Sequence, residues 1–222
     1  GLRLVHFFFF FGLGKFYREV GLKIMNFTTA LTIILLAARQ LPREFANRTI
    51  YPLLAKPVGR WEFLLGKYLG VLLAGYFCYG LFMLIFILGS VTLKAPFNFP
   101  LFLQAVYLQC LSFAVLAAMV FLLSMLLHSD AAITLSTILF VASQVLMNLL
   151  REAYDQIVSP VSRGVILALH FLIPQLTLFD ASSKVVHSIS VVMVNGESVQ
   201  QVVWGTLPAS ALISLTVYAA VY

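Results

Sequence analysis

Apolar stretches almost free of charge alternate with polar breaks along this chain. The apolar stretches cover about residues 2–13, 20–38, 68–93, 101–127, 131–150 and 202–222. Crossing the hydrocarbon core as a helix takes about 20 residues. Lipid cannot satisfy open backbone groups, so such stretches must be helical. The first stretch, Phe-rich from Phe7 to Phe11, is short for a full span and is followed by no small-residue cleavage site. Both ends of the sequence fall inside apolar runs. The chain is therefore expected to start and stop within spans, with flanking residues, and a loop near residues 12–23, absent from it. The pattern predicts one domain over residues 1–222: an all-α polytopic membrane protein of six transmembrane helices, the first and last partial.

The breaks differ in character. Residues 39–67 form a basic connection between the second and third spans. Residues 94–100 (KAPFNFP) read as a Pro-rich turn, and His128-Ser129-Asp130 as a tight one. Residues 151–200 are polar, with Pro160, Pro174 and the turn pair Asn195-Gly196. They enclose an apolar patch at 165–173 that is too short to span. That patch predicts an extracytoplasmic re-entrant or short interfacial helix between the fifth and sixth spans.

Composition agrees with a lipid setting. Hydrophobic residues make up 62% and charged residues 10%, where soluble domains carry about 25% charged residues. The formal net charge is +6. The basic residues flank apolar spans, so the positive-inside rule accounts for them and no nucleic-acid partner is expected. Six of the fourteen Lys and Arg lie in residues 39–67, against one in 94–100 and three in 151–200. This asymmetry places the basic connection and both termini in the cytoplasm and the long polar segment outside, in the inner (plasma) membrane. It also requires Lys15, Arg18 and Lys23 to lie in an outer connection.

The search for chemistry is mostly negative. There is no G-x-x-x-x-G-K-[ST], no H-E-x-x-H and no G-x-S-x-G in the sequence. His6, His128, His170 and His187 are scattered, and no metal site is expected. Cys78 and Cys110 each sit in an apolar run and read as small buried side chains. With these boundaries no ionisable group falls in the middle of a span, which argues against a proton-driven carrier.

Within the basic connection, Pro42 suits the first turn of a helix, and Glu44 and Arg48 are spaced to pair on one face. Pro52 ends or kinks that helix. Residues 56–59 (Lys-Pro-Val-Gly) read as a turn, and Arg60-Trp61-Glu62 open the third span, with Trp61 and Lys67 as interfacial anchors. By physics alone this is a short amphipathic helix at the interface, either a plain anchor or a docking element.

The residues from Glu44 to Gly70, EFANRTIYPLLAKPVGRWEFLLGKYLG, closely resemble the signature of ABC-2-type transporter permeases. The matching positions are Glu44, Arg48, Thr49, Leu53, Leu54, Pro57, Val58, Arg60, Gly66 and Lys67. A weaker match, residues 172–180 (LIPQLTLFD), is similar to a Pro-x-x-x-x-Phe-Asp segment before the last span of such permeases. The resemblance covers essentially the whole chain; the cytoplasmic start and charged tail of the family are not in it. It implies a cytoplasmic coupling helix, with Glu44, Phe45, Arg48, Thr49, Tyr51, Leu54 and Arg60 engaging an ATPase. It implies cytoplasmic ABC ATPase subunits and a second permease copy or paralogue as partners. It implies ATP and Mg on the ATPase, and no cofactor on this chain. The implied function is the permease subunit of an exporter working by alternating access, with no enzymatic activity of its own. The alternative is a membrane scaffold of the same fold that transmits force to a periplasmic or outer partner without moving a substrate. An intramembrane enzyme is disfavoured for want of paired catalytic residues.

Polar residues within the spans are the remaining candidates. Asn26, Thr29 and Thr32 share a face, with Thr28 beside them. Thr137, Gln144 and Asn148 recur at helical spacing with Ser143 adjacent, and Gln104 and Gln109 sit on the fourth span. Interhelical hydrogen bonding is the commoner use of such groups, and lining a substrate route is the functional one. Gly66, Gly70 and Gly75 read as close-packing sites. Residues 151–200 read as a packed lid, with an extracytoplasmic accessory protein as the other reading. Membrane lipid surrounds the whole.

Overall fold

A computed structural model describes residues 2–46, 60–92, 98–156, 176–186, 189–194, 197–203 and 205–221. Helix α1 runs from Leu2 to Ala46 without a break. The turn expected between a first and a second span, across residues 12–23, is therefore absent. The charges that suggested a connection are spaced for a helix: Lys23 Nζ lies 3.3 Å from Glu19 Oε1, one turn away. No proline interrupts the sequence before Pro42. The helix also passes through Pro42, so residues 42–46 of the new helix expected there belong to the end of α1, and its remainder lies outside the described residues.

Helix α2 spans Arg60–Thr92, α3 Phe99–Leu126 and α4 Ser129–Gln156. Arg60 opens α2 as expected, and Trp61 beside it is 77% exposed. Pro100 sits in the first turn of α3, where its missing N–H costs nothing. Leu127 is extended and closes α3, and the Ala132 N–H donates to His128 O at 2.8 Å. The expected tight turn is thus confined to Leu127 and His128.

Helices consecutive in the chain pack antiparallel. Aromatic groups mark the α2–α3 seam from end to end. Tyr68 Oη donates to Ala114 O at 3.0 Å, and Tyr76 Oη to Cys110 O at 2.9 Å. Tyr79 meets Phe113 edge-on at 5.2 Å, and Phe86 stacks on Phe102 at 6.1 Å. The α1–α2 seam is close. A Cβ on Gly75 would stand 2.6 Å from Ile33, and one on Gly89 would overlap Tyr17 Oη. Gly75 is the close-packing site expected. At Gly66 and Gly70 nothing lies within 4 Å of such a Cβ, which corrects that expectation: both face outward. The core lies where α1 crosses α3, with Ala30, Ile33, Ile34, Leu116, Ala117 and Val120 almost wholly buried.

The rest is short. A 3-10 turn, Leu176–Phe179, leads to α5 at Ser182–Val186. Strands β1, Ile189–Val194, and β2, Glu197–Val202, then pair antiparallel, Val194 opposite Glu197. Asn195-Gly196 between them is a favoured two-residue hairpin sequence. Helix α6 covers Ala209–Val221. The last span was expected from residue 202, but Val202 ends a strand. The helix starts only after Pro208, whose carbonyl accepts from Ala211 N at 3.0 Å. The all-α expectation therefore holds for the membrane helices and fails at this hairpin. The apolar patch at 165–173 lies outside the described residues.

Among the described residues three helical stretches are long and apolar enough to cross a membrane: Phe16–Gln40, Trp61–Thr92 and Phe99–Leu126. Ser129–Val145 and Ala209–Val221 are shorter apolar helices. This is a multi-pass membrane protein built of helices.

Candidate polar cavity between the membrane helices

A cavity of about 410 Å³ opens between α1, α3, α4 and the 3-10 turn. Lys23, Asn26, Gln109, Ser112, Gln144 and Asp180 supply its polar lining, and Ile24, Phe27, Phe140 and Leu176 its apolar wall. Helical spacing explains the α1 contribution, since Lys23, Asn26 and Phe27 fall three and four residues apart on one face. Phe27 meets Phe140 across the cavity wall, ring centroids 6.1 Å apart. A narrower pocket also touches Asn26 and Gln109 and continues toward Tyr79, Met83, Ala181 and Ser182.

The candidate pathway residues separate here. Asn26 and Gln144 reach the cavity, and Asn26 Oδ1 is buried with no hydrogen-bond partner. The threonines turn back into their own helices. Thr29 Oγ1 donates to Met25 O at 2.9 Å, Thr32 Oγ1 to Thr28 O at 2.9 Å, and Thr137 Oγ1 to Ile133 O at 2.8 Å. Ser143 likewise donates to Phe140 O. These bonds satisfy the hydroxyls locally. The side chain of Asn148 lies outside the described residues.

Lys23 was missed as a lining residue because it was assigned to a connection. With α1 continuous, Arg18, Glu19 and Lys23 all fall within the apolar span Phe16–Gln40. They sit in the first third of that span, so what falls is their assignment to a connection. Arg18 is buried at 3% exposure. The Glu19–Lys23 spacing was the available signal.

The second motif has a visible role in its described half, residues 176–180. Leu176 and Phe179 are buried, and Phe179 packs on Tyr218 of α6 at 6.0 Å. Asp180 Oδ1 accepts from Ser182 N at 2.9 Å and from the Ser182 hydroxyl, which starts α5. Gln104 plays a structural part. Its Nε2 donates to Leu207 O at 3.3 Å and its Oε1 accepts from Leu207 N at 2.7 Å. This double bond to backbone pins the chain just ahead of α6 against α3.

Of the coupling residues, Glu44 and Phe45 fall in the last turn of α1, and Arg60 is the first residue of α2. Arg48, Thr49, Tyr51 and Leu54 lie outside the described residues. At the start of α2, Lys67 Nζ stands 5.6 Å from the Phe63 ring centroid, a cation–π contact.

The cavity has the features of a binding site: polar groups of several kinds and apolar side chains line it together. A family model described as "ABC-2 family transporter protein" matches residues 5–222. No curated protein and no solved structure matches the chain.

Proposed function

The chain belongs to the ABC-2 transporter family, and from that premise we propose that it is the permease subunit of an ATP-driven exporter. Cytoplasmic ABC ATPase subunits bind and hydrolyse ATP with Mg. Residues 39–67 receive their motion, with Glu44, Phe45, Arg48, Thr49, Tyr51, Leu54 and Arg60 as the contact set. A second permease, identical or paralogous, completes the route, and the polar cavity is this chain's part of it. Substrate passes by alternating access in the inner membrane, with the coupling segment cytoplasmic.

The observation that carries this reading is a family match over nearly the whole chain, in a protein whose membrane helices form an open cavity with several polar side chains in its lining. The two charged ends of the coupling segment adjoin the two longest helices, α1 and α2, so a push there reaches the cavity wall through Lys23, Asn26 and Phe27 on α1. The test is ATP-driven transport in proteoliposomes holding permease and ATPase. A Glu44→Ala, Arg48→Ala double variant is expected to lose about tenfold or more in transport and to co-purify less ATPase. Full transport by that variant sinks the coupling assignment.

One observation favours the mechanical alternative. The Gln104–Leu207 clamp sits at the end of the bundle away from Arg60, and the Ile189–Val202 hairpin precedes it by five residues in the chain. A hairpin that leads into a segment pinned to α3 is suited to pass motion to an extracytoplasmic protein. ATP hydrolysis that responds to a protein partner and to no amphiphile would select this alternative.

A further inference from the structure

We infer that the cavity takes a single-chain zwitterionic amphiphile whose cationic end carries N–H groups; this rests on the permease reading above. The lining carries charge of both signs, with one cation, Lys23, which also pairs with Glu19 behind it, and one anion, Asp180. A ligand of one sign satisfies one of these and repels the other. A wholly apolar ligand buries both, along with Asn26, Gln109 and Ser112, and desolvates them without return. A zwitterion answers both charges at once.

The state of each polar group narrows the class further. Asn26 Oδ1 is a buried acceptor with no partner, so it calls for a donor. Asp180 spends Oδ1 on Ser182, and no bond among the described residues uses its Oδ2. Both unmet groups are acceptors, and both are served by an N–H-bearing cation. A quaternary ammonium offers charge but no donor. Lys23 keeps donors beyond the one given to Glu19, which suits the anionic part of the same head group. The apolar part has its own surface. Ile24 is 59% and Phe27 46% exposed while lining the cavity, so an acyl chain can leave sideways along α1 toward lipid. The volume, about 410 Å³, lies in the range of sites that enclose a head group of this size.

The discriminating probes are lysophosphatidylethanolamine and lysophosphatidylcholine of equal chain length. They share the phosphate and the chain and differ in the N–H donors. Binding is read by native mass spectrometry on the full permease–ATPase assembly. The wild type is expected to hold the ethanolamine probe about tenfold more tightly. Asn26→Leu and Asp180→Asn are each expected to shrink that preference below about threefold. Asn26→Asp, which keeps an acceptor, is expected to retain it. Thr32→Val is expected to leave it unchanged, because that hydroxyl bonds only within α1. Should Asn26→Leu fail to fold, Asp180→Asn, at an exposed position, carries the test alone. Equal affinity of the wild type for both probes, or a preference that survives Asp180→Asn, overturns the inference. ATP-driven transport of another amphiphile in the same assembly separates the two readings. If it persists while the preference is missing, only the ligand class falls. If no amphiphile is transported while the preference stands, the permease reading falls and the site remains.

Discussion

Gly75 and Asn26 show how single positions set this structure. A side chain on Gly75 would collide with Ile33, which is itself fully buried between helices. The neighbour is a β-branched core residue and cannot swing aside, so the helices must part. Gly75→Val is expected to destabilise the protein by about 1–3 kcal/mol, the usual cost of overpacking; thermal unfolding in detergent measures it. Gly70→Val, where nothing lies within 4 Å, is the contrasting change and is expected to be near neutral. Asn26 was legible in the sequence as a polar residue on an apolar face. Thr29 and Thr32 looked equivalent to it and are not. A threonine hydroxyl is short enough to reach the carbonyl one turn back, and the longer asparagine amide extends past it to the cavity between the helices. The sequence shows spacing but not which polar group is satisfied at home.

Elements hold one another through a few directional contacts laid over broad apolar packing. Tyr68 and Tyr76 are eight residues apart on α2 and bond carbonyls four residues apart on α3, at Ala114 and Cys110. Tyr68→Phe and Tyr76→Phe are each expected to cost about 0.5–1.5 kcal/mol, the net worth of one hydrogen bond. The Gln104 clamp is a stronger case. Its loss leaves both the N–H and the carbonyl of Leu207 without their partner. Gln104→Leu is expected to destabilise by about 1–3 kcal/mol. It should also speed amide hydrogen exchange around residues 207–212 more than in α3 itself, as read by exchange mass spectrometry. The hairpin was only half legible. The pair Asn195-Gly196 marked a turn, but the segments beside it read as part of a polar lid over residues 151–200, and only Val202 as the start of the span that follows. Pro208 decides the boundary, because the helix begins only after it.

At the scale of the whole molecule, α1 changes the layout most. Its 45 residues extend about 68 Å at 1.5 Å per residue, more than twice a hydrocarbon core of about 30 Å. Spin labels at positions 5 and 35 are expected to lie about 45 Å apart along one helix. Two packed antiparallel helices with a turn at 12–23 would bring those positions close, within about 20 Å given interaxial distances of 8–10 Å. Pulsed electron spin measurements distinguish the two, and the short distance would restore the six-span layout. Composition alone determined that this chain is a helical membrane protein, because so much apolar surface has no soluble fold that could hide it. Its sequence also carried the family signature in residues 44–70 and the starts of α2 and α3, where Arg60-Trp61 and Pro100 mark boundaries by local chemistry. Tertiary structure decided the rest. Whether Lys15–Lys23 is a loop or a helix turns on packing against Gly89 and Phe86. That Lys23, Gln109, Gln144 and Asp180 share one cavity depends on which faces of four separate elements meet. Periodicity gives each helix a face, and only the packing of one helix on another selects what that face sees.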